Sequence, residues 1–349
     1  MPPLPAAAAS AAQRAPPAAP AQHQQHQQRR RRRPPAAAPA PQHQLPNQQL
    51  LRWERDGFTV SRGLLPREAL EPVRDAVQRV VAARRLEALR HRVRVLCPEH
   101  PAPGAIATEA EAERLIDASA HELGFLQFFN LHRTEPAVDA LARSAALAGA
   151  AAQLLGTKRV RLYQDAVFLK QPGYSETNWH SDLRMAPLDA NAFVTAWLPL
   201  RAIGASEGLV FAAGSHRDMA LTFWHDLRGR DLSDRGYRLR STGAMDVGDV
   251  SWHHGWALHG APPQPPGTAP RLALALSFFA DGARLLARTR DPSVHQHMLH
   301  DEDAESYAPW LHDLRDGAPA RHALLPLVWP PGGERSGDAG GAAASEQRS

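Results

Sequence analysis

Apolar residues recur along this chain in two successive rhythms. Between residues 66 and 156 they fall three and four positions apart, and from residue 160 they come in short runs or alternate with small and polar residues. The first rhythm predicts helices and the second predicts strands. One helix opens near Pro66 and carries Leu70, Val73, Val77, Val80 and Val81 as a stripe that should pack on the core without chemistry of its own. A loop follows at 98–104, a second helix at about 108–120, and an apolar stretch at 125–129. A third helix starts at Thr134-Glu135-Pro136, uses Val138, Leu141, Leu147 and Leu154 as its apolar positions, and ends at Gly156. Strands are expected at 160–169, 193–200, 209–213, 250–254 and 271–279. Helices followed by many short strands predict a mainly β domain with flanking α-helices, an antiparallel sandwich or barrel.

The last of these strands has an informative alternation. Leu272, Leu274, Leu276 and Phe278 share one face, while Arg271, Ala273, Ala275 and Ser277 share the other. An arginine at the end of a row of very small side chains fits a strand facing a cavity with room for a ligand. It also fits an edge-of-sheet arginine in water, and the alternation alone does not choose.

Composition sets the boundaries. Residues 1–48 are almost entirely Ala, Pro, Gln, His and Arg, too poor in apolar bulk to offset the entropy of ordering them, and are expected to be a disordered leader. A Gly/Ala/Ser/Glu tail over 332–349 is expected to be disordered too, which leaves residues 49–331 as one domain with a sizeable core. The net charge of +4 belongs to the leader: residues 1–53 hold seven arginines and no acid, and the rest has 33 basic against 36 acidic residues. A mildly acidic body argues against nucleic acid as the partner of the fold. The Arg29–Arg33 run reads either as a solvated tail or as a targeting segment, with an intracellular location, cytoplasm or organelle, expected. Cys97 is the only cysteine, so no internal disulfide and no cysteine-rich metal site can form. No apolar run approaches the length of a membrane span.

Two places carry candidate chemistry. The segment Asn178-Trp179-His180-Ser181-Asp182 contains His-x-Asp, and on a strand residues two apart project from one face, so both side chains can meet one metal. The pattern is weak alone, because a chain with 18 histidines produces it by chance, and a second copy stands at His216-Arg217-Asp218. The block 248–262 adds context: His253, His254 and His259 lie within seven residues, interleaved with Trp252 and Trp256, and His259 precedes Gly260, whose lack of a side chain lets backbone approach closely. Two histidines and one carboxylate with open positions opposite them suit iron(II) and oxygen chemistry. Arg271, twelve residues beyond His259, offers a planar guanidinium able to hold a carboxylate through two parallel hydrogen bonds.

These residues, taken in order, resemble the phytanoyl-CoA dioxygenase family of iron(II)/2-oxoglutarate oxygenases. The likeness runs from about Trp53 to Pro330 through Glu54-Arg55-Asp56-Gly57-Phe58, Phe168-Leu169-Lys170-Gln171-Pro172-Gly173, the His180 segment, Val194-Thr195-Ala196-Trp197-Leu198-Pro199-Leu200, Gly214-Ser215-His216, the 248–262 block, Arg271 and Leu327-Val328-Trp329-Pro330. The resemblance implies a double-stranded β-helix, a cupin-like jelly roll. It implies that His180, Asp182 and His259 ligate iron(II), that Arg271 anchors 2-oxoglutarate, that Thr195 and Trp197 line the cosubstrate pocket and that Gln164 helps hold the other end of 2-oxoglutarate. Dioxygen completes the cofactor set, no catalytic side chain is implied beyond the metal site, and the product is a hydroxylated small molecule with succinate and carbon dioxide. Gly214-Ser215-His216 is a structural turn in the family, which makes His216-Arg217-Asp218 loop polarity. Asp182 argues against halogenation, since related halogenases leave that position without a carboxylate. Ala261 stands where a hydroxyl residue often supports the arginine, and Gln264 is the nearest counterpart to a usual asparagine.

Two rival classes remain: a jelly-roll protein that binds metal and ligand without oxidising, and a zinc hydrolase using the same three ligands, which leaves Arg271 unexplained. The substrate and the oligomeric state are not legible. Residues 221–244, with Trp224 and five arginines, are either a lid that meets an acidic group on the substrate or a solvated loop paired with its own aspartates. Trp179, Trp252 and Trp256 suit either an apolar substrate or the core.

Overall fold

The structure, a computed structural model, describes residues 44–97, 99–100, 102–119, 121–218, 236–286 and 304–332. The expected leader up to residue 43, the tail from 333 and residues 221–235 of the arginine-rich segment lie outside the described residues.

Helix α1 (Asn47–Asp56) ends because Gly57 adopts a left-handed conformation, φ 78°, and its N–H closes on the Trp53 carbonyl. Helix α2 (Arg67–Leu96) is much longer than its first apolar stripe suggests. Beyond Val77 a second buried face opens with Ala88, Leu89, Arg92 and Val93, so this helix does contribute polar chemistry to the interior. Helix α3 (Glu109–Ala118) starts where the Thr108 hydroxyl accepts the Glu111 N–H. The single helix expected over 134–156 is in fact two, α4 (Pro136–Ala142) and α5 (Ala145–Leu154). Ser144 divides them: its backbone is extended and its hydroxyl accepts the Leu147 N–H at 3.3 Å, capping a new helix rather than continuing the old one. Helix α6 (Ala304–Leu311) precedes only the last strand of the major sheet.

The strands are β1 (Phe58–Ser61), β2 (Leu126–Phe129), β3 (Val160–Lys170), β4 (Thr177–His180), β5 (Leu188–Asp189), β6 (Phe193–Pro199), β7 (Val210–Ala213), β8 (Arg238–Ser241), β9 (Val250–His254), β10 (His259–Ala261), β11 (Arg271–Ala280), β12 (Arg284–Leu285) and β13 (Leu327–Trp329). The major sheet runs β1-β9-β6-β11-β3-β13, with β2 also on β3; the minor sheet runs β4-β10-β7-β8. All strand pairs are antiparallel, and two facing sheets of this order make the double-stranded β-helix.

Helices cover the outside of the major sheet. Leu274, Leu276 and Phe278 point outward into a core shared with Val77, Leu89, Leu147 and Leu154, while Ala273, Ala275 and Ser277 face the space between the sheets. Each buried leucine or phenylalanine contributes about 1.5–3 kcal/mol, and a one-residue slip would turn all of them inward, so the core fixes the strand's register. Phe58 of the major sheet stacks on Phe211 of the minor sheet at 4.3 Å between ring centroids. Among the described residues no helix is long and apolar enough to cross a membrane.

Candidate metal centre

Strand pairing brings the first two site residues together. His259 on β10 stands directly opposite His180 on β4, and their rings lie 4.2 Å apart. The close approach depends on Gly260, since a Cβ there would stand 2.7 Å from the Thr177 carbonyl oxygen. Asp182 arrives differently from the strand-face expectation. β4 stops at His180, and Asp182 is the first residue of a 3₁₀ turn, Asp182–Met185, so the turn rather than the pleat aims its carboxylate.

Ligand atoms of His180, Asp182 and His259 all lie within 4.8 Å of one another, with Asp182 Oδ1 3.7 Å from His180 Nε2 and 3.6 Å from His259 Nε2. Both histidines are held from behind. His180 Nδ1 is 2.8 Å from the Asn178 carbonyl and His259 Nδ1 is 3.0 Å from the Ala257 carbonyl. A carbonyl can only accept, so each Nδ1 carries the hydrogen and each Nε2 lone pair faces the other two ligands.

The carboxylate is oriented too. Asp182 Oδ2 accepts from the Thr195 hydroxyl at 2.6 Å and from His253 Nε2 at 2.9 Å, which leaves Oδ1 for the histidine side. Burial alone would raise the Asp182 pKa, but His259, His253 with its hydrogen bond, and His180 outweigh it and hold the carboxyl well below the usual range. Burial first, then the neighbouring histidines, push His259 well below its ordinary value, so it presents a neutral ring. An ionised carboxylate beside a neutral imidazole, with a second histidine whose Nε2 faces both, is what a divalent cation requires.

One row of the major sheet faces this centre: His253, Thr195, Ser277 and Gln164 stand opposite one another on β9, β6, β11 and β3. The row two residues further along includes Ser251, Trp197, Ala275 and Ala166, and the same face of β11 continues through Ala273 to Arg271. His180, Asp182, His259, Gln164, Thr195, Trp197 and Arg271 all line one cavity of about 480 Å³, the space between the sheets. Arg271 is buried, not an edge residue in water: it is 3% exposed, its Nη1 donates to the Glu207 carbonyl, and its guanidinium lies 5.8 Å from the Trp197 ring. Burial, with Glu207 opposing and Arg201 adding, lowers its pKa to about 10, so it stays cationic at neutral pH. Arg271 Nε and Gln164 Oε1 are both buried without a hydrogen-bond partner, a donor and an acceptor aimed at a polar group the cavity would hold.

A scan against protein families matches phytanoyl-CoA dioxygenase (PhyH) over residues 53–265. The chain belongs to this family. The dioxygenase fold also brings it close to solved structures. It is similar to the non-heme α-ketoglutarate-dependent carbocyclase SnoK from nogalamycin biosynthesis, at 19% identity and a TM-score of 0.57, over 81% of this chain and 96% of that one. The epimerase SnoN in complex with Fe3+, α-ketoglutarate and nogalamycin RO gives 19% and 0.52, over 81% and 98%. EctD from S. alaskensis with bound Fe gives 20% and 0.51, over 71% and 80%. No curated protein matches the chain. Membership places this dioxygenase-family chain among oxidoreductases that use iron and 2-oxoglutarate.

Other candidates in the sequence lie away from the cavity. His216 sits in a 3₁₀ turn with Nε2 on the Glu54 carbonyl, and Asp218 accepts the Tyr237 hydroxyl. Trp252 is core with its indole N–H on Ser61, Trp256 donates to Asn191, and Trp179 packs on Ala212 and Leu258; none lines the cavity. Gln264 is tied to Glu207, Thr268 and Ala269, so it supports the loop behind Arg271. Arg238 and Arg240 are exposed on β8.

The sequence placed His253 in the histidine cluster and Ser277 on the face of Arg271 but gave neither a role, and it gave no sign of Arg92. The first two were accessible by period two: Trp252 is core, so Ser251 and His253 must face inward. Arg92 had no such signal, since the helix was expected to end its apolar stripe near Val81.

Proposed function

We propose that the protein binds iron(II) through His180, Asp182 and His259, holds 2-oxoglutarate on Arg271, and hydroxylates a small organic substrate with dioxygen, releasing succinate and carbon dioxide. The observation that carries this reading is the pair of back-bonded histidines. Both Nδ1 atoms are engaged by carbonyls and both Nε2 atoms converge on the one Asp182 oxygen that Thr195 and His253 leave available. Iron(II) with 2-oxoglutarate and dioxygen supplies the oxidising power for a C–H bond. The chain's own residues bind, orient and exclude water. Arg271 and the unpartnered Gln164 Oε1 are placed to receive polar ends of the cosubstrate, and Trp197 walls the pocket beside Arg271.

The helix-side wall supports a substrate with an acidic group. Arg92 of α2 lines the cavity, is 7% exposed and lies 5.2 Å over the Phe125 ring, with Val95 and Leu96 of the same helix beside it.

The test is succinate release by purified protein supplied with iron(II), 2-oxoglutarate, ascorbate and air, beside His180→Ala and Arg271→Ala. Slow turnover in the wild type that both variants lose is the expected result. Anaerobic addition of iron(II) and 2-oxoglutarate should give a visible charge-transfer band, and its absence would sink the enzyme reading in favour of a non-catalytic binding protein. Once a substrate is found, a product heavier by one oxygen atom distinguishes hydroxylation from ring closure or epimerisation.

A further inference from the structure

Lys170 is one of only two lysines in the chain, and none of its surface is exposed. It ends β3 directly opposite Arg271, the first residue of β11. Directly opposed residues of an antiparallel pair project from the same face, roughly 5 Å apart, so two buried basic groups stand side by side behind the cavity. Lys170 Nζ donates to the Ser175 carbonyl at 2.6 Å and the Pro262 carbonyl at 2.9 Å. Ser175 belongs to the segment that enters β4 and reaches His180; Pro262 belongs to the segment that leaves β10 just after His259. The amine therefore straps together the two chain segments that carry the histidines.

Its partners are carbonyls, not a carboxylate, and the group it stands beside is an arginine whose Nε has no partner. The charges that act on it are Arg271 from β11 and Glu176 from the approach to β4, where Tyr174 also lies; Glu207 and Arg201 act on Arg271, and β2 and residues 261–264 bring no titratable group. Tyr174 is turned to Arg85, and Glu207 to Arg201, Gly204 and Gln264. Two adjacent buried basic groups with neutral acceptors can both be cationic at low cost only when an incoming anion balances them.

We propose that Lys170 is a positioning residue and the second cation of the cosubstrate pocket, strapping both histidine-bearing segments behind Arg271 and taking up a proton when a dicarboxylate binds there. The inference rests on the 2-oxoglutarate reading of Arg271. Burial first, then Arg271, with Glu176 opposing, lowers the Lys170 amine to about 7 in the free protein, so at pH 8 it is mostly neutral. A carboxylate at Arg271 raises it. Because binding raises the pKa, affinity is full below about 7 and falls as pH rises, by up to about tenfold per unit.

The experiment is anaerobic calorimetry of 2-oxoglutarate binding to the Mn(II)-loaded full chain at pH 8, in buffers of different ionisation enthalpy. The wild type should take up close to one proton per 2-oxoglutarate bound. Lys170→Met should take up almost none and show a Kd independent of pH between 6.5 and 8.5, while Lys170→Arg, cationic throughout, should bind without uptake. Zero uptake by the wild type, or equal uptake by wild type and Lys170→Met, would overturn the proposal, and the first of these needs no variant that must fold. No binding of 2-oxoglutarate at all would instead overturn the proposed function, and this inference with it.

Discussion

Replacing Thr195 with valine removes one hydrogen bond from the candidate metal centre and one contact to Ser277, and almost nothing else. Valine keeps the branched shape, and Thr195 is fully interior on β6 between β9 and β11, so packing and strand preference are retained. What is lost is the 2.6 Å bond from the hydroxyl to Asp182 Oδ2, together with the 3.1 Å contact to Ser277. A hydrogen bond to a charged acceptor contributes about 1.5–3 kcal/mol. At 1.4 kcal/mol per tenfold that is about 10- to 150-fold in affinity if the whole bond acts on the metal. His253 still donates to the same oxygen at 2.9 Å, so the carboxylate remains partly oriented and the lower end applies, about tenfold weaker metal binding. The assay is anaerobic titration of Mn(II) or iron(II) into the wild type, Thr195→Val and Thr195→Val/His253→Phe, with thermal melting of each metal-free chain alongside. The double variant, which leaves Oδ2 without either donor, should lose more than the single one. Unchanged metal affinity in both variants would refute the reasoning, because Oδ2 would then not need to be held for Oδ1 to bind.

Two further substitutions test the strand packing and the buried charges. Gly260→Ala places a Cβ 2.7 Å from the Thr177 carbonyl oxygen and must push β10 off β4, so metal affinity should fall by at least about tenfold while the chain stays folded; Gly104→Ala, with nothing within 4 Å, is the control that should change neither. Burial would raise the Asp281 pKa, but hydrogen bonds from Arg161 and Arg159 and the nearby Arg321 outweigh it and lower the carboxyl to about 2. A depressed carboxyl contributes stability that is full above its ordinary value near 3.8 and is lost as pH falls towards about 2, on the order of 1–2 kcal/mol after allowing for solvent around the outer arginines. Urea unfolding at pH 5 and pH 2.5 should therefore differ less in Asp281→Asn than in the wild type. At pH 7 the same variant should be less stable by about 3 kcal/mol, because it removes the carboxylate that pairs with the buried Arg161 at 2.7 Å. A wild type and variant with parallel pH profiles would show that the cluster does not hold this end of the fold.

Much of this protein was determined locally. The alternation of residues 271–279 settles which face is core, because a β-strand has a side-chain period of two and leucines cannot share a face with Arg271 without burying it among them. His180 and His259 were legible because their flanking residues resemble a family whose sequence order is constrained, and Gly260 because close backbone contact excludes a side chain. Local sequence did not determine where the third helix breaks, since Ser144 is compatible with a helix interior and becomes a cap only when α4 and α5 each find the core. Nor could it determine how Asp182 meets the histidines: the two-residue spacing suggested a shared strand face, but a turn does the aiming, and a spacing of two is compatible with both.

Tertiary structure alone decided which polar residues work together. His253, Thr195, Ser277 and Gln164 are far apart in sequence and meet only because β9, β6, β11 and β3 are neighbours in one register. Arg92 reaches the cavity because α2 continues past its first apolar stripe, and Lys170 stands beside Arg271 because two strands a hundred residues apart pair end to end. Periodicity and composition report a residue's own environment, inside or outside. The identity of its partner depends on strand order, which the whole core chooses at once by burying the most apolar surface.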